Sequence, residues 1–521
     1  MRTEQSLIGA RIDSSGSRGT IKYVGEVNGV QGLWFGIDWD DPKRGKHDGT
    51  YNDIRYFTAS HPTSGSFVRP CKVSTGISIV EAIKERYGLT SDPNVGLDQE
   101  IIIQVQKEIK AKIFEVVGAE KLNRIQSDFR NLRIVLLRDF LVNGAGPPQA
   151  LLNLCPSIQE LDLSRTLLNS WESVEEITSQ LKNLKILNLS NNRLKISENV
   201  VKSESFQSLE HIVLGNLMYS WFQVLECSNF FLNIQALQVQ FNNIVTLETP
   251  NEKIFSNLCM LDLEGNPIKS WNEINKIGYI KTLETLNISQ CGIDNIYLPV
   301  NTDSSQVTDL FKNLKNLILN GNNINDWESI SELDKLENLY DFRFKDNPIL
   351  TIETMETNHQ LIITKIRNLQ VLNGEQILKE ERKGADIDYL KRYGREWLGI
   401  KNEEDKKAFI KAHPCYLKLI SLYGPPEECE LKKLSTSLKS QLIQIEIFSG
   451  DKKFSKKVPY NMSIQKLSGL IQRLFNTGFA MPRLFCIHSQ GRDSVEIPLD
   501  DILKDLNFYS VENGDKIAVH W

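Results

Sequence analysis

The chain has 521 residues, 40% hydrophobic residues and a formal net charge of −5. This length suggests about three domains or one long repeat array, and the composition excludes an intrinsically disordered chain. No run of 18 apolar residues occurs and the N-terminus lacks an apolar core. We therefore expect a cytoplasmic protein without a membrane partner or a secretory signal.

Charge and motifs exclude several further classes of function. The region from Asn131 to Glu375 contains 19 basic and 29 acidic residues, a net charge of −10, so the remainder carries +5. This distribution argues against nucleic acid as the main ligand. The eight cysteines form no Cys-x-x-Cys pair, the seven histidines are dispersed, and no phosphate loop, His-Glu-x-x-His or Gly-x-Ser-x-Gly motif occurs. We expect no enzyme activity, no catalytic residue, no metal site and no cofactor.

The first predicted domain covers residues 1–76. Short apolar runs alternate with glycines, a pattern that favours a small β-barrel. The segments Gly19 to Gly25, Gly32 to Asp40, Gly45-Lys-His-Asp-Gly49 and Gly65 to Val68 resemble, in order, a CAP-Gly domain. The usual family signature is Gly-Lys-Asn-Asp-Gly, and this chain has His47 in place of Asn.

The resemblance implies a groove that binds acidic C-terminal tails ending in Glu-Glu-Tyr or Glu-Glu-Phe, above all that of α-tubulin. Lys46 is expected to pair with a carboxylate, and the backbone N–H groups from His47 through Asp48 to Gly49 to hold the terminal carboxylate. Trp34 and Phe67 are expected to form walls for the last aromatic ring. The alternative is that these aromatic residues belong to the core of the barrel.

Residues 77–130 are interpreted as a linker and entry cap, with a short helix over Ile79 to Tyr87. Residues 131–385 then repeat the template Leu-x-x-Leu-x-Leu-x-x-Asn-x-Leu nine times, mostly at steps of 24 to 26 residues. This pattern predicts an α/β leucine-rich repeat solenoid with a C-terminal cap, in which stacked repeats supply the core. The Asn at the ninth position is expected to bind backbone groups where the chain leaves each strand. Tryptophans that recur after the strands are interpreted as filler between the turns.

Residues 386–440 are charged and helix-prone, and predict a helical connector. In residues 441–521 a predicted hairpin precedes a helix over Ile464 to Phe475 and further strands, which resembles a ubiquitin-like domain of β-grasp fold. The chain ends on Trp521 without Gly-Gly, so such a domain would bind rather than be conjugated.

The order of these three domains resembles the tubulin folding cofactors. This resemblance implies a chaperone that binds α-tubulin and acts with other tubulin folding cofactors in assembly or dissociation of the α/β-tubulin heterodimer, in association with the cytoskeleton. One alternative is a microtubule-associated scaffold that uses the same groove. Another is a shuttle that delivers tubulin to the proteasome through the ubiquitin-like domain.

Overall fold

The computed structural model describes eleven segments of the chain. They are residues 7–88, 128–196, 204–251, 253–299, 308–426, 442–450, 452–478, 480–490, 493–502, 504–511 and 513–521. Most of the predicted linker, residues 89–127, and the end of the predicted connector, residues 427–440, therefore lie outside the described residues. The chain divides into two units, Met1–Leu390 with Gly399–Gly424, and Lys391–Leu398 with Pro425–Trp521.

The first domain is built on a four-stranded antiparallel sheet with the order β1-β2-β3-β6. Its strands and the small β4–β5 hairpin are β1 (Arg11–Ser14), β2 (Ser17–Val27), β3 (Val30–Trp39), β4 (Thr50–Tyr51), β5 (Ile54–Arg55) and β6 (Gly65–Val68). Strands β1 and β6 are at the two ends of this order, and isolated bridges join Asp13 of β1 to Ser74 and Gly65 of β6 to His47. The core is small and contains Ile12, Ile21, Phe35, Ile37 and Trp39.

The central region contains an eleven-stranded sheet in which one short strand follows another in chain order. The strands are β8 (Ile134–Leu136), β10 (Glu160–Asp162), β11 (Ile186–Asn188), β12 (His211–Val213), β13 (Ala236–Gln238), β14 (Met260–Asp262), β15 (Thr285–Asn287), β16 (Asn316–Ile318), β17 (Asp341–Arg343), β18 (Val371–Leu372) and β19 (Glu375–Gln376). All pairs are parallel except β18 with β19. From β8 to β17 the middle residue of each strand is the fourth residue of one repeat copy, and each is fully buried.

Buried asparagines join successive repeats through backbone hydrogen bonds. Asn266 is 0% exposed; its Oδ1 accepts from the N–H groups of Asn242 and Ile244, and its Nδ2 donates to the carbonyls of Val239 and Leu263. The side chains of Asn192, Asn242, Asn322 and Asn347 likewise bridge two repeats. The expected role of the ninth template residue is therefore present in the structure.

Short helices lie between the solenoid strands. They are α2 (Ala150–Leu154), α3 (Trp171–Thr178), α4 (Trp221–Ser228), α5 (Trp271–Asn275) and α6 (Trp327–Glu332). The last four each begin at a tryptophan that directly follows a Ser or Asp N-cap. Trp171, Trp221 and Trp271 are at most 2% exposed within the solenoid core, and Trp327 packs against it, as expected of filler residues.

The described residues from Ile77 to Tyr87, between the first sheet and the repeats, belong to the solenoid. Strand β7 (Ile77–Ser78) pairs with β9 (Val142–Gly144), and the helix α1 (Ile79–Tyr87) begins with a capping box at Ser78. The apolar face of α1 contributes Ile79 and Ile83 to the core that runs through the repeats. The solenoid core therefore begins at this helix, well before the first repeat.

The solenoid is followed by four helices, α7 (Met355–Lys365), α8 (Lys379–Gly399), α9 (Glu403–Ala412) and α10 (Tyr416–Tyr423). The predicted boundary at residue 385 falls inside α8. Ala385, in the first part of this helix, belongs to the solenoid core. None of the helices that the described residues form is both long and apolar enough to cross a membrane.

The C-terminal region is a mixed sheet with the order β21-β20-β24-β22-β23. The elements are β20 (Leu442–Ser449), β21 (Lys452–Pro459), α11 (Ile464–Phe475), β22 (Arg483–Gln490), β23 (Asp493–Pro498) and β24 (Lys516–His520). Strands β20 and β24 are parallel, the other pairs are antiparallel, and the apolar side of α11 packs into the core. This is the β-grasp arrangement predicted from the order of the elements.

Candidate functional site

The first domain contains a cavity of about 940 Å³. Four of the six predicted site residues line it, namely Trp34, Lys46, His47 and Phe67, whereas Asp48 and Gly49 do not. Among the described residues, no group of three or more His, Cys, Asp or Glu side chains is placed to hold a metal ion. The chemistry of this cavity, hereafter the groove, therefore depends on cations and aromatic rings.

The Gly45–Gly49 loop packs directly on strand β6. The backbone N–H groups of Lys46 and His47 both donate to the Gly65 carbonyl, at 2.7 and 3.2 Å, and Gly65 N–H donates back to the His47 carbonyl at 2.7 Å. A Cβ atom on Gly45 would lie 2.4 Å from the Ser64 carbonyl carbon, and one on Gly49 would lie 2.0 Å from the Phe57 oxygen. The two glycines are thus required for close packing of the loop, which holds Lys46 at the edge of the groove.

His47 performs in this loop a task that an Asn side chain can also perform. Its Nδ1 accepts a hydrogen bond of 3.0 Å from the N–H of Gly49, two residues further on, as the oxygen of an Asx turn does. The imidazole also contacts the Phe67 ring, with 5.2 Å between centroids. Burial lowers the pKa of His47, and the nearby Asp48 opposes this shift. The neutral ring, protonated at Nε2, is therefore the form that fits the loop at neutral pH.

Asp48 closes the same turn instead of facing the groove. Its Oδ1 accepts from the N–H of Thr50 at 3.0 Å, and its Oδ2 forms an ion pair with Arg55 at 2.6 Å. These bonds lower the pKa of Asp48, with the contacts to Thr50 as the main cause. The N–H groups of His47 and Gly49 donate within the domain, to the Gly65 carbonyl and to His47 Nδ1, so two of the three backbone donors expected to hold a terminal carboxylate already have an acceptor.

The aromatic walls differ from each other. The half-buried ring of Phe67 lies among five others, at centroid distances from 5.2 to 6.1 Å, namely those of Tyr23, His47, Tyr51, Tyr56 and Phe57. One face of Trp34 is covered by the guanidinium of Arg69, 3.9 Å from the ring centroid. That guanidinium donates to the carbonyls of Gln31 and Leu33 and so stays in place. The Trp34 wall therefore presents a cation beside an apolar ring.

Sequence reasoning recognised one cation of the groove and missed three. Arg44, Arg69 and Lys72 line the cavity together with Lys46, and no Asp or Glu is among the described residues that line it. Lys46 is exposed and forms no ion pair with any described residue. A low-dielectric groove with several uncompensated cations favours an anionic ligand. The signal was available in the sequence, because Arg44 and Arg69 flank the two motifs already singled out.

Comparison with known proteins places the groove in a family of domains. Residues 8–73 match the CAP-Gly domain family. Among solved structures, the C-terminal ubiquitin-like domain of mouse tubulin-specific chaperone e is similar, at 33% identity over 17% of this chain and 93% of that chain, with a TM-score of 0.15. A chain of the Toll–Spatzle complex matches at 16% identity over 45% of this chain and 29% of that chain, with a TM-score of 0.32. The chain thus contains a CAP-Gly domain at residues 8–73.

Relatives of nearly equal length define the family of the whole chain. The tubulin-specific chaperone E of Danio rerio is 38% identical over 99% of both chains. Those of Homo sapiens and Drosophila melanogaster are 36% and 35% identical, over 99% and 98% of this chain and 98% and 97% of the relatives. The chain belongs to the tubulin-specific chaperone E family.

Proposed function

We propose that this chain is a non-enzymatic tubulin-folding cofactor whose groove binds the acidic, aromatic-ended C-terminal tail of α-tubulin. The observation that carries the proposal is the lining of the groove, where Arg44, Lys46, Arg69 and Lys72 surround aromatic side chains and no carboxylate is present among the described residues. The names of the relatives support the tubulin assignment. Work with other cofactors on the α/β-tubulin heterodimer, in the cytoplasm and at the cytoskeleton, is part of the same proposal.

The tail is bound by charge and by its last ring. Lys46, with no competing acidic partner among the described residues, pairs with a glutamate or with the terminal carboxylate. Phe67 and the Trp34–Arg69 pair contact the terminal ring, because an aromatic ring next to a guanidinium accepts both apolar and π contact. The solenoid and the ubiquitin-like domain engage the folded body of tubulin or the other cofactors at raised effective concentration.

Isothermal titration with a synthetic acidic peptide ending in Glu-Glu-Tyr tests the groove. We expect Lys46→Ala to weaken binding about five- to tenfold, as for one partly exposed charged contact. Removal of the last Tyr from the peptide should weaken binding about ten- to a hundredfold, as for loss of one buried aromatic side chain. Lys43→Ala is the matched control, because Lys43 lies in the same exposed loop and does not line the cavity. Equal affinity of wild-type protein and Lys46→Ala would disprove the groove assignment.

The role in tubulin assembly requires a second experiment. A folding cofactor should co-elute with tubulin dimer in gel filtration and leave polymerised microtubules in the pellet without binding them. Co-sedimentation of this chain with microtubules, and no complex with dimer, would instead support the scaffold alternative.

A further inference from the structure

The groove ends beside the junction between the first domain and the solenoid. Ser14 and Ser15, in the turn that joins β1 to β2, line one end of the cavity. Arg44, another lining residue, donates from Nε to the Ser17 hydroxyl in the same turn at 2.9 Å. The next residue, Arg18, leaves the first domain and contacts the solenoid.

Arg18 fixes the two domains to each other. Its guanidinium donates to the carbonyls of Arg165, Thr166 and Asp139, residues that follow the first two strands of the solenoid. The side chain is only 13% exposed. A second bond joins the domains where the Asn169 amide donates to the Gly9 carbonyl at 2.9 Å. The end of the groove is therefore held at a defined place next to the first repeats.

Three guanidiniums converge on one carboxylate at this junction. The carboxylate of Asp139 faces three guanidiniums, those of Arg165 at 3.2 Å, Arg138 at 3.6 Å and Arg18 at 3.8 Å. Asp13 also acts on Arg18, whereas the side chains of Arg138 and Arg165 remain 66% and 58% exposed beside the one carboxylate that they share. The acidic side chain of the neighbouring strand, Asp162, is already engaged by the N–H of Ser164 and the amide of Asn188.

We propose that the peptide-binding surface continues from the groove across the β1–β2 turn onto Arg138 and Arg165 of the solenoid. This track takes the acidic residues that precede the last few residues of an acidic tail. The proposal rests on the proposed function of the groove and adds a second subsite on a different domain. The ligand class is an extended acidic peptide, because the subsite offers exposed guanidiniums and no apolar pocket.

The test compares a short and a long peptide on the full-length protein. The short peptide contains five residues ending in Glu-Glu-Tyr, and the long one adds ten glutamate-rich residues before them, enough to extend about 35 Å. Isothermal titration should show tighter binding of the long peptide to wild-type protein. The double variant Arg138→Gln/Arg165→Gln should weaken the long peptide about three- to tenfold and leave the short peptide within twofold.

A double variant with the same change of charge serves as the control. Lys253→Gln/Lys281→Gln removes two exposed cations much further along the solenoid, before strands β14 and β15. It should leave both peptides unaffected. If the arginine variant keeps the full advantage of the long peptide, or if the lysine variant loses as much, the solenoid subsite is disproved while the groove stands. If neither peptide binds wild-type protein, both proposals fail. Binding of the long peptide alone, lost in the arginine variant, would support the subsite and disprove the groove.

Discussion

Replacement of Asn266 by Ala should strongly destabilise the solenoid. The amide makes four hydrogen bonds to backbone groups, of 2.9 and 3.0 Å as acceptor and 3.0 and 2.8 Å as donor. In the variant, the N–H groups of Asn242 and Ile244 lose their partner, whereas the carbonyls of Val239 and Leu263 each lose one donor and keep another.

The expected cost follows from the number of groups left without a partner. Each unsatisfied buried backbone group costs about 1–3 kcal/mol. Two N–H groups are left without a partner and two carbonyls lose one of their donors, so we expect a loss of about 3–5 kcal/mol in the free energy of unfolding. Such a value is at the upper end of single-residue effects and is diagnostic of a buried hydrogen-bond network.

The next repeat provides an internal control. Cys291 occupies the same template position, and its thiol makes only weak contacts to the carbonyls of Leu263 and Ser289, at 3.3 and 3.4 Å. Cys291→Ala should therefore cost about 1 kcal/mol or less, since a thiol is a weak donor. Urea unfolding followed by far-UV circular dichroism measures both changes. Equal losses for the two variants would refute the assignment of stability to the asparagine bridges.

Two further predictions concern titratable groups. Burial lowers the pKa of His47, so the contribution of this residue to stability is fully present above about pH 6.5 and is lost as the pH falls through the pKa of the folded state. The cause is that Nδ1 can no longer accept from the Gly49 N–H once it is protonated. His47→Asn should keep the bond and remove this dependence in thermal melts between pH 7 and 5; an unchanged slope would contradict the role of the ring. Lys365 is 2% exposed, donates to the Ser331 hydroxyl at 2.8 Å, and burial lowers its pKa to about 8. The contribution of Lys365 to stability should therefore rise between pH 8 and 10.5, so that wild-type protein gains stability relative to Lys365→Met over this range. At pH 7 the Met variant should be more stable by about 1–3 kcal/mol in urea titrations, whereas a loss at pH 7 would show that the ammonium is well compensated.

Sequence periodicity predicts the solenoid well because the repeat determines its own geometry. Each apolar template residue must point inward and each ninth residue must meet the backbone of the previous turn, so position in the template fixes position in space. The same logic fails at the ends. Helix α1 has no template and contributes Ile79 and Ile83 to the core, and helix α8 crosses the predicted boundary at residue 385. A local pattern carries no information about which neighbouring helix covers the last exposed face.

The groove shows a different limit of sequence reasoning. The Gly-Lys-His-Asp-Gly motif predicts a ligand loop, and Lys46 does line the cavity, but most of the motif serves the loop itself. Asp48 accepts from the Thr50 N–H and pairs with Arg55, and Gly49 leaves space for the Phe57 carbonyl. Both residues therefore contribute to the packing of the loop itself. The cations missed in the sequence, Arg44 and Arg69, are contributed by residues outside the motif. Which charged residues face a groove depends on strand register, and register appears only when the sheet is assembled.

Arg18 illustrates why the attachment of the first domain to the solenoid could not be predicted from the sequence motif. It lies in strand β2, where a charged residue on an exposed strand position is ordinary, and its partners are 121 and 147 residues further along the chain. Because backbone carbonyls accept from it, no complementary charge pattern marks the contact in the sequence. Because this contact holds the groove against the first repeats, a bound peptide leaves the groove at a fixed place on the solenoid. If a flexible linker joined the two domains, a bound tail could leave the groove in any direction. This junction instead directs the acidic chain past Arg165 and Arg138. Two further contacts there raise affinity, because the second subsite is already at high effective concentration.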